Sequence, residues 1–395
     1  MTAASFLNRH GNCADNIDAE QVVSAFIAEM RAGLAGGQSS VAMLPTYLDG
    51  GALPSDGKYI VIDAGGTNFR SGIGVITAGG VDVTDEQAVP MPATYGRMTA
   101  DEFYSAIAQN VKRLLPEARD IGFCFSFPVR MEENGDGEIL SMPKGIDATE
   151  IIGTKVGERT LAAIKELDCT ERKIVILNDT AAALLGAAGA DIGYIYGTGT
   201  NVCCQATVNG KQMLINTECG NFDKFPRGDF ETTVAQGTPN PREYVLEKAV
   251  AGRYLAGVVA QAFQTACKEN VISASTQIPS FTLAELSDFL SGAQNGISRA
   301  FTTDCDRQTA RQVAVGIVER AAKLGAVANA AAAIFGQKPN VVIVAEGTTF
   351  YKLKGYKESF EKYLGDILFE HGVGFKVIQG KGNLHGALAA IAARQ

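Results

Sequence analysis

Two short glycine-rich loops, each lying between two predicted strands, contain the residues that are best suited to bind a ligand or take part in a reaction. The first reads Asp63-Ala-Gly-Gly-Thr-Asn68 and the second reads Gly197-Thr-Gly-Thr-Asn201. Glycines between strands leave backbone N–H groups able to face an anion, and Thr67 adds a hydroxyl. Neither loop has the Gly-Lys-Ser/Thr ending of a Walker A loop or the GxGxxG dinucleotide fingerprint. One such loop alone would indicate a tight hairpin, but two favour a nucleotide held from both sides.

Carboxylates form the second group of candidates. Asp63 ends the strand before the first loop and could hold a hydrated divalent cation. Asn178 and Asp179 follow a strand and precede a helix, which is the ordinary place for a helix cap. It is also the sheet edge where open α/β folds keep their sites, so Asp179 is a candidate general base. Glu247 alone would be interpreted as a surface helix residue, but paired with Glu218 in a cleft it would bind a polyhydroxylated ligand.

The scarce residue types limit the alternatives. The chain has three histidines, one near the N-terminus and two near the C-terminus. This small number disfavours a His-centred triad or a His-rich zinc site. Its eight cysteines form no CxxC pair, and those inside apolar runs are expected to be small buried residues. We therefore expect a carboxylate to carry any proton transfer.

Strands and helices alternate along the chain and place these residues at strand ends. Short apolar runs predict strands over 59–63, 69–77, 121–127, 173–177, 191–196, 202–208, 340–345 and 375–378. Helical spacing predicts helices over 18–35, 100–115, 150–167, 181–188, 243–270, 282–291, 307–335, 357–370 and 384–393. The alternation predicts an α/β fold. The strand, glycine loop, strand pattern of 59–77 recurs over 192–208 and indicates two similar halves.

Length and charge narrow the class of protein. The 395 residues exceed one ordinary core, so two domains are expected. Lys plus Arg number 35 against 43 Asp plus Glu, and the net charge of -8 disfavours a nucleic-acid partner. The longest alanine-rich apolar stretch, 324–335, is too short to span a bilayer, and the N-terminus lacks the apolar core of a signal peptide. We therefore expect a cytoplasmic protein without a membrane partner.

Taken together, the motifs resemble the hexokinase/glucokinase family of the eukaryotic type, within the actin-like sugar-kinase superfamily. The matching stretches occur in the family's order. They are Met43-Leu-Pro-Thr-Tyr47, Asp63-Ala-Gly-Gly-Thr-Asn-Phe-Arg70, Phe125-Ser-Phe-Pro-Val-Arg130, Pro143-Lys-Gly145, Leu177-Asn-Asp-Thr180, Gly197-Thr-Gly-Thr-Asn201, Asn216-Thr-Glu-Cys-Gly220, Leu246-Glu-Lys248, Thr302-Thr-Asp-Cys-Asp306 and Glu346-Gly-Thr348. The cysteine cluster of the bacterial repressor-like sugar kinases is missing, which argues against that relative.

The resemblance implies an ATP-dependent kinase that phosphorylates the 6-hydroxyl of a hexose, glucose first, with mannose or fructose as alternatives. It implies a two-lobed, actin-like (ribonuclease H-like) ATPase fold in which each lobe is a mixed sheet flanked by helices. The small lobe would comprise 56–177 with 384–395, and the large lobe 1–53 with 179–382. ATP would need Mg²⁺, because phosphoryl transfer depends mainly on positioning and charge neutralisation.

The resemblance also implies roles for the matching residues. Asp179 would be the base that takes the proton of the 6-hydroxyl, and Lys144 would act near the transferring phosphate. The sugar-binding set would be Ser126, Lys144, Asn178, Asp179, Asn201, Glu218 and Glu247. The phosphate loops would contribute Asp63, Gly65, Gly66, Thr67, Asn68 and Arg70, and then Gly197, Thr198 and Gly199. Adenosine would contact Gly347 and Thr348, with Arg253 near the nucleotide. Asp63 would hold Mg²⁺ through water.

Two positions beside the sugar depart from the family pattern. The family usually has Thr-Lys-Gly-Phe where this chain has Pro143-Lys-Gly-Ile146. It usually has Glu-Trp-Gly where this chain has Glu218-Cys-Gly220, and this chain has no Trp. Because Pro143 has neither a hydroxyl nor an N–H, one sugar contact worth about 1 kcal/mol is lost or replaced. The preferred hexose therefore stays open.

A non-catalytic hexose sensor on the same fold is the alternative function. Such a protein could keep its sugar residues while its phosphate loops diverged. Here Asp179, Lys144 and both glycine loops are retained, which favours an enzyme acting on a hexose and ATP. The sequence does not distinguish a monomer from a homodimer.

Overall fold

The computed structural model describes residues 1–49, 53–142, 146–274 and 277–394. Pro143 and Lys144, which the resemblance places beside the sugar and the phosphate, lie outside the described residues. Within the described ranges, no helix is both long enough and apolar enough to cross a membrane.

Strands and helices alternate as the sequence predicts. The strands are β1 Leu44–Pro45, β2 Gly57–Ala64, β3 Asn68–Thr77, β4 Gly80–Pro90, β5 Ile121–Phe125, β6 Val129–Met131, β7 Gly137–Ile139, β8 Ile174–Leu177, β9 Ile192–Tyr196, β10 Thr200–Val208, β11 Lys211–Asn216, β12 Asn340–Glu346 and β13 Gly374–Gln379. The helices are α1 Ala3–Arg9, α2 Ala19–Leu34, α3 Ala100–Val111, α4 Val156–Lys165, α5 Asp179–Leu185, α6 Asp229–Gln236, α7 Val245–Val250, α8 Gly252–Lys268, α9 Leu283–Leu290, α10 Gly296–Ala300, α11 Asp304–Phe335, α12 Thr348–Lys352, α13 Tyr356–Glu370 and α14 Asn383–Ala392.

The chain divides into two compact units. The first unit comprises Met1–Met43, Tyr194–Val202 and Thr217–Val377, and the second comprises Leu44–Gly193, Cys203–Asn216 and Ile378–Gln395. This division groups residues 44–49, 179–193, 203–216 and 378–382 with the second unit, whereas the resemblance implies that they belong to the large lobe. The lobe boundaries therefore stay a prediction.

The second unit is built on a five-stranded sheet with the order β4-β3-β2-β5-β8. β2 pairs antiparallel with β3 and parallel with β5, which pairs parallel with β8. Alternation along β2 sends Ile60 and Ile62 to one face, where they join Phe103 and Ile107 of α3 in a buried apolar cluster. Asp63 therefore faces the opposite side of the sheet.

α14 covers that opposite face because two strand glycines allow a close approach. A Cβ on Gly122 would lie 2.0 Å from the Ala387 carbonyl oxygen, and one on Gly74 would lie 2.7 Å from a methyl carbon of Leu388. Since α14 begins at Asn383, its first residue reaches the end of β2. The packing of this helix thus brings a polar side chain to Asp63.

A six-stranded sheet has the order β1-β11-β10-β9-β12-β13, and its strands β9 and β10 each contain residues of both units. The first unit is otherwise helical and centred on α11, which packs against α1, α2 and α13. Alanines line much of α11 and let these neighbours approach closely. One ion pair is buried there: Arg320 Nη2 lies 2.8 Å from Glu231 Oε1. The fold class predicted from the sequence, α/β with helix-flanked sheets, is confirmed.

Some predicted elements differ from those found. The helix predicted over 243–270 is two helices, because the backbone at Ala251 is extended and separates α7 from α8. The helix predicted over 150–167 begins at Val156, after a 3-10 turn at Thr149–Ile151. The strands β1, β4, β6, β7 and β11 were not predicted from the sequence. β4 is polar and mostly exposed, so only its pairing with β3 defines it as a strand.

Candidate active site

Asp63 is a buried carboxylate near the end of β2. Its Oδ1 accepts a hydrogen bond of 3.1 Å from Asn383 Nδ2, and its Oδ2 lies 3.7 Å from Arg70 Nη1. Burial raises the pKa of Asp63; the Asn383 hydrogen bond and the Arg70 charge oppose this rise, and the Asp179 charge adds to it. The carboxylate is thus incompletely compensated, which suits a group that binds a cation. Asn383 was not among the sequence candidates.

The parallel register of β2 and β5 extends this cluster. Cys124 is the register partner of Asp63, and its Sγ lies 3.8 Å from Ser126 Oγ. The Ser126 N–H donates to the Ala64 carbonyl at 3.1 Å and fixes the chain after β5. Burial raises the pKa of the Cys124 thiol well above its ordinary value, and the charges of Asp63 and Asp179 raise it further. Strand register therefore gathers three predicted site residues around a thiol that the sequence indicated only as a buried side chain.

Asp179 is the first residue of α5 and follows β8. Asn178 caps this helix, because its Oδ1 accepts the Ala181 N–H at 3.0 Å and its Nδ2 donates to Thr180 Oγ1 at 2.8 Å. The Oδ1 of Asp179 accepts the Thr180 N–H at 2.9 Å. The cap and the candidate base are therefore not alternatives: the cap fixes the position of the base at the carboxyl end of a parallel strand.

A small cavity adjoins Asn178 within the second unit. The lining residues are Leu44, Pro45, Thr46, Phe127, Val129, Met131, Asn178 and Asn216. Two amides, of Asn178 and Asn216, lie among mostly apolar walls. Leu44, Pro45 and Thr46, from the middle of the Met43–Tyr47 stretch, thus line the same cavity as Asn178, one of the predicted sugar residues.

The first glycine loop is a tight hairpin between β2 and β3. Gly65 donates its N–H to the Asn68 carbonyl at 3.0 Å, and the Thr67 carbonyl accepts the Met91 N–H at 3.0 Å. Thr67 and Asn68 are exposed, and Arg70 follows them on β3 with its side chain partly exposed. The loop therefore presents polar groups directly beside Asp63.

The second glycine loop, in the first unit, is held by the start of α8. The Gly197 N–H donates to the Gly199 carbonyl at 2.9 Å and closes the turn. The N–H groups of Gly252 and Arg253 donate to the carbonyls of Gly197 and Thr198 at 2.9 and 3.3 Å. A Cβ on Gly252 would lie 2.8 Å from the Gly197 carbonyl oxygen, so this contact requires glycine. Gly252, which the sequence candidates missed, is thus part of the loop's support.

Gly347, directly after β12, lies against the same loop, and Thr348 follows it. Gly347 has φ +115°, and a Cβ there would lie 2.2 Å from the Tyr196 carbonyl oxygen, so that only glycine fits. Thr348 begins α12 and is exposed. The predicted nucleotide residues Gly197, Arg253 and Gly347 are therefore neighbours in this unit.

Glu218 is held in a strained conformation beside Asn201. Its φ of 52° and ψ of 41° lie in the left-handed region, which is uncommon for a residue other than glycine. Asn201 Oδ1 lies 3.3 Å from the Cys219 N–H and 3.4 Å from Thr217 Oγ1, and both groups donate to it. These bonds fix the chain on either side of Glu218. Strain that is held in this way is a frequent feature of ligand-binding sites.

Glu247 reaches the second glycine loop from the first turn of α7. Its Oε2 accepts the Thr200 N–H at 3.2 Å. Burial raises the pKa of Tyr244, and the charges of Glu218 and Glu247 raise it further. The two predicted sugar carboxylates therefore lie within electrostatic range of one phenol. Glu247 lies on α7 and is half-buried, so it is less exposed than helix spacing alone would suggest.

Few of the described side chains are placed to bind a metal ion. Within the described ranges, no group of three or more His, Cys, Asp or Glu side chains could hold a metal ion. One buried carboxylate at a glycine loop nevertheless fits Mg²⁺, which keeps several waters and binds proteins through one or two carboxylates and substrate phosphates. Asp63 is the residue that fits this requirement.

Glycine loops between strands, with carboxylates at the adjoining strand and helix ends, are features expected of an α/β protein that binds phosphate groups. Two hexokinase family models match residues 13–188 and 191–393. The chain belongs to the hexokinase family. The predicted enzyme class, a hexose phosphotransferase, is confirmed, and none of the comparisons supports a non-catalytic sensor.

Curated relatives and a solved structure agree with this assignment. Hexokinase-1 of Schizosaccharomyces pombe is 25% identical over 405 residues, which cover 91% of this chain and 83% of that protein. Hexokinase-3 of Oryza sativa is 29% identical over 409 residues, which cover 89% and 81%. The hexokinase of Schistosoma mansoni, solved in complex with glucose, has the same fold, with a TM-score of 0.79, 20% identity and 100% of both chains covered.

Proposed function

We propose that this protein transfers the γ-phosphoryl group of ATP to the 6-hydroxyl of a hexose, with glucose as the preferred substrate. The observation that best supports the proposal is the cluster at the strand ends of the second unit. There Cys124 is the register partner of Asp63, its Sγ lies 3.8 Å from Ser126 Oγ, and the charges of Asp63 and Asp179 raise the pKa of its thiol, beside a glycine loop. A carboxylate for the proton and a carboxylate for the cation thus lie within electrostatic range of each other.

Asp179 acts as the general base in this proposal. Its carboxylate accepts the proton of the 6-hydroxyl as that oxygen attacks phosphorus, and the bond from phosphorus to the leaving ADP oxygen breaks. Asn178 and Ser126 orient the sugar next to it. Asn201, Glu218 and Glu247 accept hydrogen bonds from the other sugar hydroxyls, and Lys144 stabilises charge on the transferring phosphoryl group.

The glycine loops bind the nucleotide. The backbone N–H groups and hydroxyls of 65–68 and 197–199, with Arg70 and Arg253, neutralise phosphate charge, and Gly347 and Thr348 receive the adenosine. Mg²⁺ bound to the phosphates would neutralise their charge further, and Asp63 would hold it through water. We place the enzyme in the cytoplasm, as the sequence predicts.

A coupled assay of ADP formation with glucose, mannose, fructose and an amino sugar tests both the activity and the specificity. We expect glucose to give the highest kcat/KM, and phosphate to be found on its 6-oxygen. ADP formation that does not depend on any hexose, or the absence of turnover with all of them, would refute the proposal. A higher kcat/KM for another hexose would leave the proposed kinase activity standing and change only the preferred substrate.

A further inference from the structure

The two glycines of the second loop, Gly197 and Gly199, differ in what surrounds them. A Cβ on Gly197 would have the Cα of Gly347 at 3.9 Å as its nearest neighbour, which is an ordinary contact. A Cβ on Gly199 would lie 2.6 Å from Glu247 Oε2 and 3.4 Å from its Cδ. The space beside Gly199 is therefore already filled by a carboxylate.

The same carboxylate oxygen is bonded to the loop's own backbone. Glu247 Oε2 accepts the N–H of Thr200, the residue after Gly199, at 3.2 Å. The oxygen thus rests against the loop at Gly199, where there is no side chain. Gly220 lines the other side of Glu247, since a Cβ on it would lie 3.4 Å from Glu247 Cβ.

We propose that Gly199 is a positioning residue for the hexose as well as a nucleotide-loop residue. Because Gly199 has no side chain, it leaves room for the Glu247 carboxylate. The carboxylate proposed to bind the hexose is therefore in direct contact with the second glycine loop. This inference rests on the proposed function, in which Glu247 binds the sugar.

Gly199→Ala tests the proposal, with Gly197→Ala as the matched control in the same loop. The backbone of neither glycine is left-handed, so alanine adds only a methyl group at each position. Titration calorimetry with glucose and no nucleotide measures the hexose site alone. We expect Gly199→Ala to weaken glucose binding about tenfold or more, as when a hydrogen bond to a charged group is displaced, and Gly197→Ala to change it less than about twofold.

Kinetics give a second readout that a purely structural defect would not produce. We expect Gly199→Ala to raise the KM for hexose by a larger factor than Gly197→Ala does, whatever both changes do to the KM for ATP. Equal glucose affinity in the two variants, with only the KM for ATP raised, would show that Gly199 serves the nucleotide alone and would overturn the proposal.

A double-mutant cycle separates this contact from a general folding defect. Gly199→Ala should lower the urea midpoint of unfolding in the wild-type background and leave it nearly unchanged in the Glu247→Ala background, where the carboxylate is gone. If Gly199→Ala lowered the urea midpoint equally in both backgrounds, the proposed contact between Gly199 and Glu247 would be refuted. This arm needs no substrate, so if the wild-type protein bound no hexose, the proposed function would fail while the cycle still tested the contact.

Discussion

Replacing Asp179 by Asn removes a carboxylate and leaves its surroundings nearly intact. Among the described residues, the Asp179 side chain accepts a hydrogen bond at Oδ1 from the adjacent Thr180 N–H at 2.9 Å. An Asn amide oxygen can accept the same bond, and Asn178 continues to cap α5. We therefore expect the free energy of unfolding to change by less than about 0.5 kcal/mol, as for other partly exposed substitutions.

The expected loss of rate is large because no neighbour can replace the base. Loss of a general base typically lowers the rate by about 10² to 10⁴, which corresponds to roughly 3–5 kcal/mol in the activation free energy. Asp63, the nearest carboxylate of the cluster, is already engaged by Asn383 and Arg70. Stopped assays of ADP at saturating hexose and MgATP measure kcat, and calorimetry measures whether glucose still binds.

Asp101→Asn is a suitable control, because Asp101 also lies in the first turn of a helix of the second unit and is exposed. It should keep kcat within about twofold of the wild-type value, since exposed substitutions rarely perturb a protein. A kcat for Asp179→Asn within tenfold of wild type, with intact glucose binding, would refute the assignment of the base.

Three further predictions concern other carboxylates. Asp63→Ala should raise the Mg²⁺ concentration needed for half-maximal rate and lower kcat with little change in glucose affinity; an unchanged Mg²⁺ titration would contradict the metal role. Glu231→Gln should lower the free energy of unfolding in urea by about 3–5 kcal/mol, because it leaves the buried Arg320 charge unpaired, and a loss below about 1 kcal/mol would contradict this. The Arg172 hydrogen bond lowers the pKa of Asp168 from 3.8 to about 2, so this pair stabilises the fold above pH 3.8 and loses its effect as the pH falls through about 2. The difference in urea midpoint between wild type and Asp168→Asn should therefore shrink over that range, and a constant difference would argue against the pair.

Local pattern predicted much of the fold, and tertiary contacts account for what it missed. Apolar spacing was sufficient for buried strands such as β2 and for the long helix α11. It failed for β4, whose polar residues form a strand only because β3 offers a partner, and for the break at Ala251, where α8 turns to meet the second glycine loop. Neither feature has a signal in a single stretch of sequence.

In the candidate site, too, the residues that sequence analysis missed are placed by tertiary contacts. The sequence indicated Cys124 only as a buried thiol, because its position opposite Asp63 depends on the register of two strands that are far apart in sequence. Asn383 was missed because only the packing of α14 brings it to the carboxylate. Glu247 has the helical spacing of a surface residue, and its contact with Thr200 appears only once α7 packs against the loop.

Three candidate carboxylates, Asp63 and Asp179 in the second unit and Glu247 in the first, are each held by a hydrogen bond from a neighbouring helix or loop. Asp179 and Glu247 each accept a hydrogen bond from a backbone N–H, at the start of a helix and beside a glycine loop. Asp63 accepts one from the side chain of the first residue of α14. Each donor belongs to a helix start or a loop whose position is set by packing, so each carboxylate has one orientation before any ligand arrives. Such preorganised groups lose little freedom when they bind, and that is why capping residues and tight glycine turns are suitable supports for phosphoryl transfer.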